Sequence, residues 1–171
     1  MHDIGTIDFM VYDGDGKTFF GVASTTLPNK NQKTITVSGA GIGGDVNVPS
    51  AGQYEAMQFT LTFRNYSSRV ARLRKPGRHQ IELRVAQQNE DPVTGKMEIV
   101  SIKHVMVVVP SNASGGNIAP ASPSDTNVTF EVRYWMTMEN GVVVDEIDQF
   151  NGINIIDGVD YGAPIRAALG L

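Results

Sequence analysis

The residues able to do chemistry are few, and their spacing is against most of it. Histidines stand only at His2, His79 and His104, with no i, i+4 pair to share a metal ion. There is no cysteine, which excludes disulfide, thiolate, zinc-knuckle and iron–sulfur chemistry. Gly39-Ala-Gly-Ile-Gly-Gly44 matches the glycine spacing of a dinucleotide loop. That site needs a helix opening on the last glycine, so that amides and helix dipole meet the pyrophosphate. Here the extended Asp45-Val-Asn-Val-Pro49 follows, and the stretch reads as a flexible loop. Asp13-Gly-Asp-Gly16 hints at a calcium loop but lacks the bidentate glutamate such a loop requires, so a β-turn accounts for it. His79 and His104, the available general bases, lie in alternating, strand-like segments with no G-x-S-x-G elbow nearby. Asp145, Glu146 and Asp148 crowd one strand after a tight turn and read as a solvated or interfacial face. Asn65, Asn112 and Asn127 head glycosylation sequons, but the opening Met-His-Asp-Ile-Gly carries no secretory pattern to give them meaning. No catalytic, cofactor or metal residue is expected, and the chain does not read as an enzyme.

The elements that would position any site are strands. The dominant hydrophobic period is two. Met57, Phe59, Leu61 and Phe63 alternate with Gln58, Thr60, Thr62 and Arg64. Ile81, Leu83 and Val85 alternate with Gln80, Glu82 and Arg84. Val128, Phe130, Val132, Tyr134, Met136 and Met138 alternate with Thr129, Glu131, Arg133, Trp135 and Thr137. Segments 7–12, 18–26, 98–109 and 142–150 are rich in β-branched and aromatic residues and also predict strands. Asn140-Gly141 is a hairpin turn signal. Two short helices are predicted. One, over 67–73, is capped by Ser67 or Ser68 and ended by Pro76-Gly77; the other spans 163–169, with Pro164 in its first turn. The expectation is one domain over 1–171, mainly β: an antiparallel sandwich or barrel with a flanking helix and a C-terminal helical tail. Two long loops, 28–52 and 110–127, exceed ordinary connections and read as hairpin tips that order against a neighbour.

At 171 residues the chain is long enough to bury a core without metal or disulfide support. No apolar run approaches the length of a membrane helix, so a soluble protein made in the cytoplasm is expected. A net charge of −4 argues against a general nucleic-acid binder. The charge is unevenly laid out. Residues 64–84 carry Arg64, Arg69, Arg72, Arg74, Lys75, Arg78 and Arg84 against Glu82 alone. Residues 125–160 carry Asp125, Glu131, Glu139, Asp145, Glu146, Asp148, Asp157 and Asp160 against Arg133. Such patches read either as a dipolar solvated surface or as complementary faces of neighbouring copies.

Two blocks carry a resemblance. Residues 21–64 contain V-A-S-T-T-L-P, then S-G-A-G-I-G-G and M-Q-F-T-L-T-F-R. Residues 131–171 contain E-V-R-Y-W-M-T-M-E-N-G, V-V-V-D-E-I-D, N-I-I-D-G-V-D and the closing A-A-L-G-L. In this order the blocks resemble the major tail tube proteins of contractile-tailed bacteriophages, which are related to the tube proteins of contractile bacteriocins and secretion systems. The resemblance implies a virion protein stacking as hexameric rings into a hollow tube. Two hairpins per subunit, 18–26 with 56–64 and 98–109 with 128–138, would join across neighbours into a barrel around the lumen. Implied partners are other copies, the tail sheath protein, a baseplate hub or initiator, the tape measure protein and the tail terminator. Double-stranded DNA would pass without specific binding, and no membrane contact is implied.

On that resemblance, Gln58, Thr60, Thr62, Thr129, Glu131 and Thr137 are the expected lumen-facing residues. Short neutral or acidic side chains suit a conduit that must not hold phosphates, although Arg64 and Arg133 lie on the same alternating faces. Arg69, Arg72, Arg74 and Lys75 are expected on the outer wall, toward the sheath. Asn29, Lys30, Gly41, Gly43, Asn112 and Gly115 are expected in loops reaching the next ring. Two other readings stand beside this one. A bacteriocin or secretion-system tube would share fold and physics and differ in cargo. A monomeric β-sandwich binding module would present an exposed aromatic platform, for which Trp135, the only tryptophan, is available.

Overall fold

The structure, a computed structural model, describes residues 2–16 and 21–171. Its elements in chain order are β1 (His2–Asp13), β2 (Val22–Thr26), β3 (Gln32–Val37), β4 (Val46–Tyr54), β5 (Met57–Phe63), α1 (Ser68–Leu73), β6 (His79–Glu90), β7 (Met97–Ser114), β8 (Thr126–Glu139), β9 (Val142–Asp148), β10 (Ile153–Ile156), β11 (Val159–Asp160) and α2 (Ala163–Ala168). The fold is mainly β and antiparallel with two short helices, as the alternation and the helix signals predict. The first residues of the expected strand 18–26 lie outside the described residues.

One large sheet runs β1-β6-β7-β8-β9-β10-β11. It branches at β8. Residues 126–132 pair with β5, which carries β2 on its far side, while residues 134–139 pair with β9. Both expected hairpin pairings, β2 with β5 and β7 with β8, are present. The sheet does not close into a barrel. Among the described residues β1 pairs only with β6, β2 only with β5 and β11 only with β10, so the branched sheet has three open edges, of which β1 and β2 are the longer. The Asn140-Gly141 turn between β8 and β9 has positive φ at both residues, 48° and 85°, the geometry a two-residue hairpin of this handedness requires.

The core forms where the apolar faces of the curled sheet meet α1. Phe59, Leu61, Ile81, Met106, Val108, Val128 and Phe130 are fully buried, and Val70 and Leu73 of α1 belong to the same buried cluster. Phe59 and Phe130 sit directly opposite each other in the β5–β8 ladder, with ring centroids 6.1 Å apart. Each such side chain removed from water contributes about 1.5–3 kcal/mol. Ser67 stands at the N-cap of α1 but makes no side-chain cap bond, so the helix depends on Val70 and Leu73 for its place.

Three features differ from the sequence reading. Segment 28–52 contains a full hairpin: β3 and β4 pair as a separate two-stranded sheet, with a tip over 38–45. Strand β7 continues past Pro110 to Ser114, with a bulge at Ser111, so the second loop shortens to 115–125. The alternation of β8 breaks at Arg133. Val132 pairs with Val108 and Tyr134 with Val107, leaving Arg133 as the extra residue of a β-bulge. Beyond it Trp135 pairs with Met106, so the core face passes from even to odd positions along the strand.

Candidate assembly surfaces

The polar alternates of β5 and β8 form one continuous face, turned away from the core. Gln58 pairs with Glu131, Thr60 with Thr129 and Thr62 with Asn127. The Gln58 amide donates to Glu131 Oε1 at 2.9 Å, and the Thr60 and Thr129 hydroxyls bond at 3.1 Å. Five of the six lumen-facing candidates (Gln58, Thr60, Thr62, Thr129 and Glu131) are therefore brought together. The pairing adds Ser24 and Thr26 from β2, opposite Thr62 and Thr60, and Asn127 from β8. These were missed because neither 22–26 nor 126–127 shows a full polar–apolar alternation by itself.

Thr137 does not join that face. The Arg133 bulge turns it to the core side, where it pairs with His104 and its hydroxyl lies 3.0 Å from His104 Nδ1. Arg133 does not pair with Glu131; its guanidinium lies over the Phe150 ring at 5.2 Å. Further along the same outer face, Val105, Val107, Val109, Tyr134 and Phe150 line a groove of about 750 Å³ flanked by Arg78, Arg133 and Asp148. Tyr134 donates to Glu146 at 2.9 Å, and burial together with that carboxylate pushes its hydroxyl pKa up to about 12.

The basic helix packs on the core through Val70 and Leu73. Arg69, Arg72, Arg74 and Lys75 are exposed while Val70 and Leu73 point inward. Arg72 is engaged by Asp13 at 2.9 Å, across the end of β1. The polar strand face and the cationic helix therefore both turn outward from one core.

The loop candidates separate into two groups. Gly41 and Gly43 sit at the exposed tip of the β3–β4 hairpin. Along this hairpin Ile35 faces Val48 and Val37 faces Val46, an apolar stripe with every member exposed. A two-stranded ribbon with a bare apolar face is marginal by itself. Asn112 and Gly115 belong to a segment that is fastened down. Asn112 Oδ1 accepts the Ala113 amide, Thr126 Oγ1 donates to the Gly115 carbonyl at 3.1 Å, and the Ser124 amide donates to the Arg64 carbonyl at 2.6 Å. Gly116, at φ 73°, packs so closely that a Cβ would stand 1.9 Å from the Ser124 carbonyl oxygen. Asn29 is exposed at the root of the hairpin. Lys30 turns back onto the subunit, where its ammonium pairs with Asp145 and lies 4.0 Å from the centroid of the Trp135 ring.

The residues weighed for catalysis have structural partners. His104 is buried, and its Nδ1 accepts the Trp135 indole N–H; His79 Nε2 lies 2.8 Å from the Lys75 carbonyl. Asp145, partly exposed, pairs with Lys30, and Asp148 accepts from the Phe150 and Asn151 amides. Among the described residues no cluster of three or more metal-ligating side chains forms. Trp135, 6% exposed, lies in the core and offers no platform for a ligand. No helix among the described residues is long and apolar enough to cross a membrane.

Comparison with known proteins gives these surfaces a context. No curated protein matches the chain by sequence. Among solved structures, the chain resembles one in the cryo-EM structure of the PVC sheath–tube complex, an extracellular contractile injection system in its extended state. That match has 12% identity over 76% of this chain and 87% of the other, with a TM-score of 0.52. It also resembles a chain in the sheath/tube terminator of the PVC system in the extended state, at 13% identity, 81% and 98% coverage and a TM-score of 0.56. At these identities the likeness is one of fold. The family model for phage tail tube protein FII matches residues 7–170, nearly the whole chain, and the protein belongs to that family.

Proposed function

We propose that the protein polymerises as stacked hexameric rings into the inner tube of a contractile phage tail and that double-stranded DNA passes through its lumen. The carrying observation is the arrangement of surfaces around one core: an uncharged or acidic strand face, a helix whose cations face away from the core, and open sheet edges at β1 and β2. Edge strands left unpaired invite association, and a ring that joins β2 of one copy to β1 of the next pairs both of these edges. Closure of that kind directs Gln58, Thr60, Thr62, Thr129 and Glu131 inward. The same closure directs α1 outward, where Arg69, Arg72, Arg74 and Lys75 meet acidic groups of the sheath. The amphipathic β3–β4 hairpin is the part that reaches the next ring. The tape measure protein, baseplate hub or initiator and tail terminator are the partners that set the tube's length and ends. On this reading the assembled protein resides in the virion, after assembly in the host cytoplasm.

The two solved neighbours come from an injection system, which supports a second reading with the same assembly and a different cargo. Seeded elongation tests the assembly reading. Purified protein added to sheared tube fragments should raise light scattering in proportion to seed number. No growth at any concentration, with or without seeds, would count against a tube and in favour of a free-standing binding module.

A further inference from the structure

The root of the β3–β4 hairpin carries a feature that strand pairing does not explain. Lys30, two residues before β3, folds away from the hairpin onto the paired strands β8 and β9. Its ammonium lies 4.0 Å from the Trp135 ring centroid and pairs with Asp145, 115 residues away in sequence. The platform beneath it is itself fixed. The Trp135 indole N–H donates to His104 Nδ1 at 3.3 Å, and Thr137, which pairs with Asp145 across the β8–β9 ladder, bonds the same nitrogen at 3.0 Å. The second carboxylate oxygen of Asp145 is buried with no hydrogen-bond partner, so among the described residues the charge is met by the Lys30 side chain alone. Burial also lowers the Lys30 pKa, and the ring face and carboxylate are what hold its charge there. Beyond this root every residue of β3 is exposed.

We propose that Lys30 is a positioning residue for assembly: clamped between Trp135 and Asp145, it fixes the direction in which the β3–β4 hairpin leaves the subunit and presents its Ile35, Val37, Val46 and Val48 stripe to the next copy. An apolar side chain would cover the indole equally well. Only a cation must satisfy ring face and carboxylate together, and that double requirement sets one angle for the chain entering β3. On the other side of the hairpin, the Tyr54 hydroxyl donates to Asn154 Oδ1 at 3.1 Å and the Glu55 amide to the Asn31 carbonyl at 2.8 Å. Lys30 thus supplies the ionic point of a two-sided mount. The proposal rests on the reading of the hairpin as a contact between copies.

The chain has one tryptophan and no cysteine, which makes the test specific. Gly43→Cys, at an open tip position, accepts an energy-transfer acceptor for Trp135. Time-resolved transfer in the free subunit then reads the distribution of tip-to-sheet distances. The expected result is a narrow distribution with Lys30 and a markedly broader one with Lys30→Met, restored by Lys30→Arg, whose guanidinium stacks on indole and pairs with carboxylate. Seeded elongation of the unlabelled Lys30→Met protein should slow about tenfold, the population factor that a contact of this class governs. If Lys30→Met fails to fold, Lys30→Met with Asp145→Asn removes the stranded charge and should broaden the distribution equally. An unchanged distribution in a folded Lys30→Met or double variant overturns the proposal. If the distribution broadens while even the unaltered protein fails to elongate, the mount stands and the tube reading fails.

Discussion

The indole N–H of Trp135 donates to Nδ1 of His104 across 3.3 Å. Because indole nitrogen only donates, the imidazole must be neutral with Nδ1 as acceptor. Burial, followed by the nearby Lys30 ammonium, lowers the His104 pKa to about 4. The unfolded chain therefore takes up a proton that the folded chain refuses. Stability from this group is complete above about pH 6.5 and is lost as pH falls toward 4, by about 3 kcal/mol in all. Urea unfolding of the free subunit at pH 7 and pH 4.5 should show the loss, and His104→Leu should flatten it. An equal slope in the variant would assign the pH dependence to other groups.

Phe59 and Phe130 stack across the β5–β8 ladder within the buried core. Phe59→Ala should cost about 3–5 kcal/mol, since the surrounding strands cannot collapse into the space. Chemical denaturation of the free subunit measures this directly. A loss below 1 kcal/mol would mean that this part of the core repacks freely.

The β3–β4 stripe separates folding from assembly. Ile35→Asn with Val48→Asn alters two exposed positions, so the subunit's stability should move by no more than about 0.5 kcal/mol. Elongation from seeds should nevertheless stop. Unimpaired elongation would remove the hairpin from the contact between copies.

Charge reversal on α1 tests whether this helix faces the sheath. Arg72 is a poor choice because it also holds Asp13. Arg74→Glu with Lys75→Glu leaves that ion pair in place and should weaken sheath binding, measured by co-sedimentation, while tubes still form. Loss of the tubes themselves would place the helix within the ring contact instead.

Much of this was legible in the sequence, for identifiable reasons. β5 alternates without interruption, so its two faces, and with them Gln58, Thr60 and Thr62, follow from period alone. The Arg133 bulge is invisible by the same logic. Thr129, Glu131, Arg133, Trp135 and Thr137 read as one face, and only the partners Val108 and Met106 on β7 show that the face switches between them. β4 was obscured by Pro49 and Gly52, which a two-stranded ribbon tolerates because each strand has an unpaired edge. The Lys30–Asp145 contact spans 115 residues and has no local signature, so a loop lysine gave no sign of turning inward.

The central claim is that copies join through their open edges into a hollow ring. Negative-stain electron microscopy of the concentrated protein, with seeds present, tests it most directly. The account predicts hollow tubes whose end-on averages show six-fold symmetry. Single particles of monomer size beside unextended seeds, or solid fibres without a lumen, would contradict it.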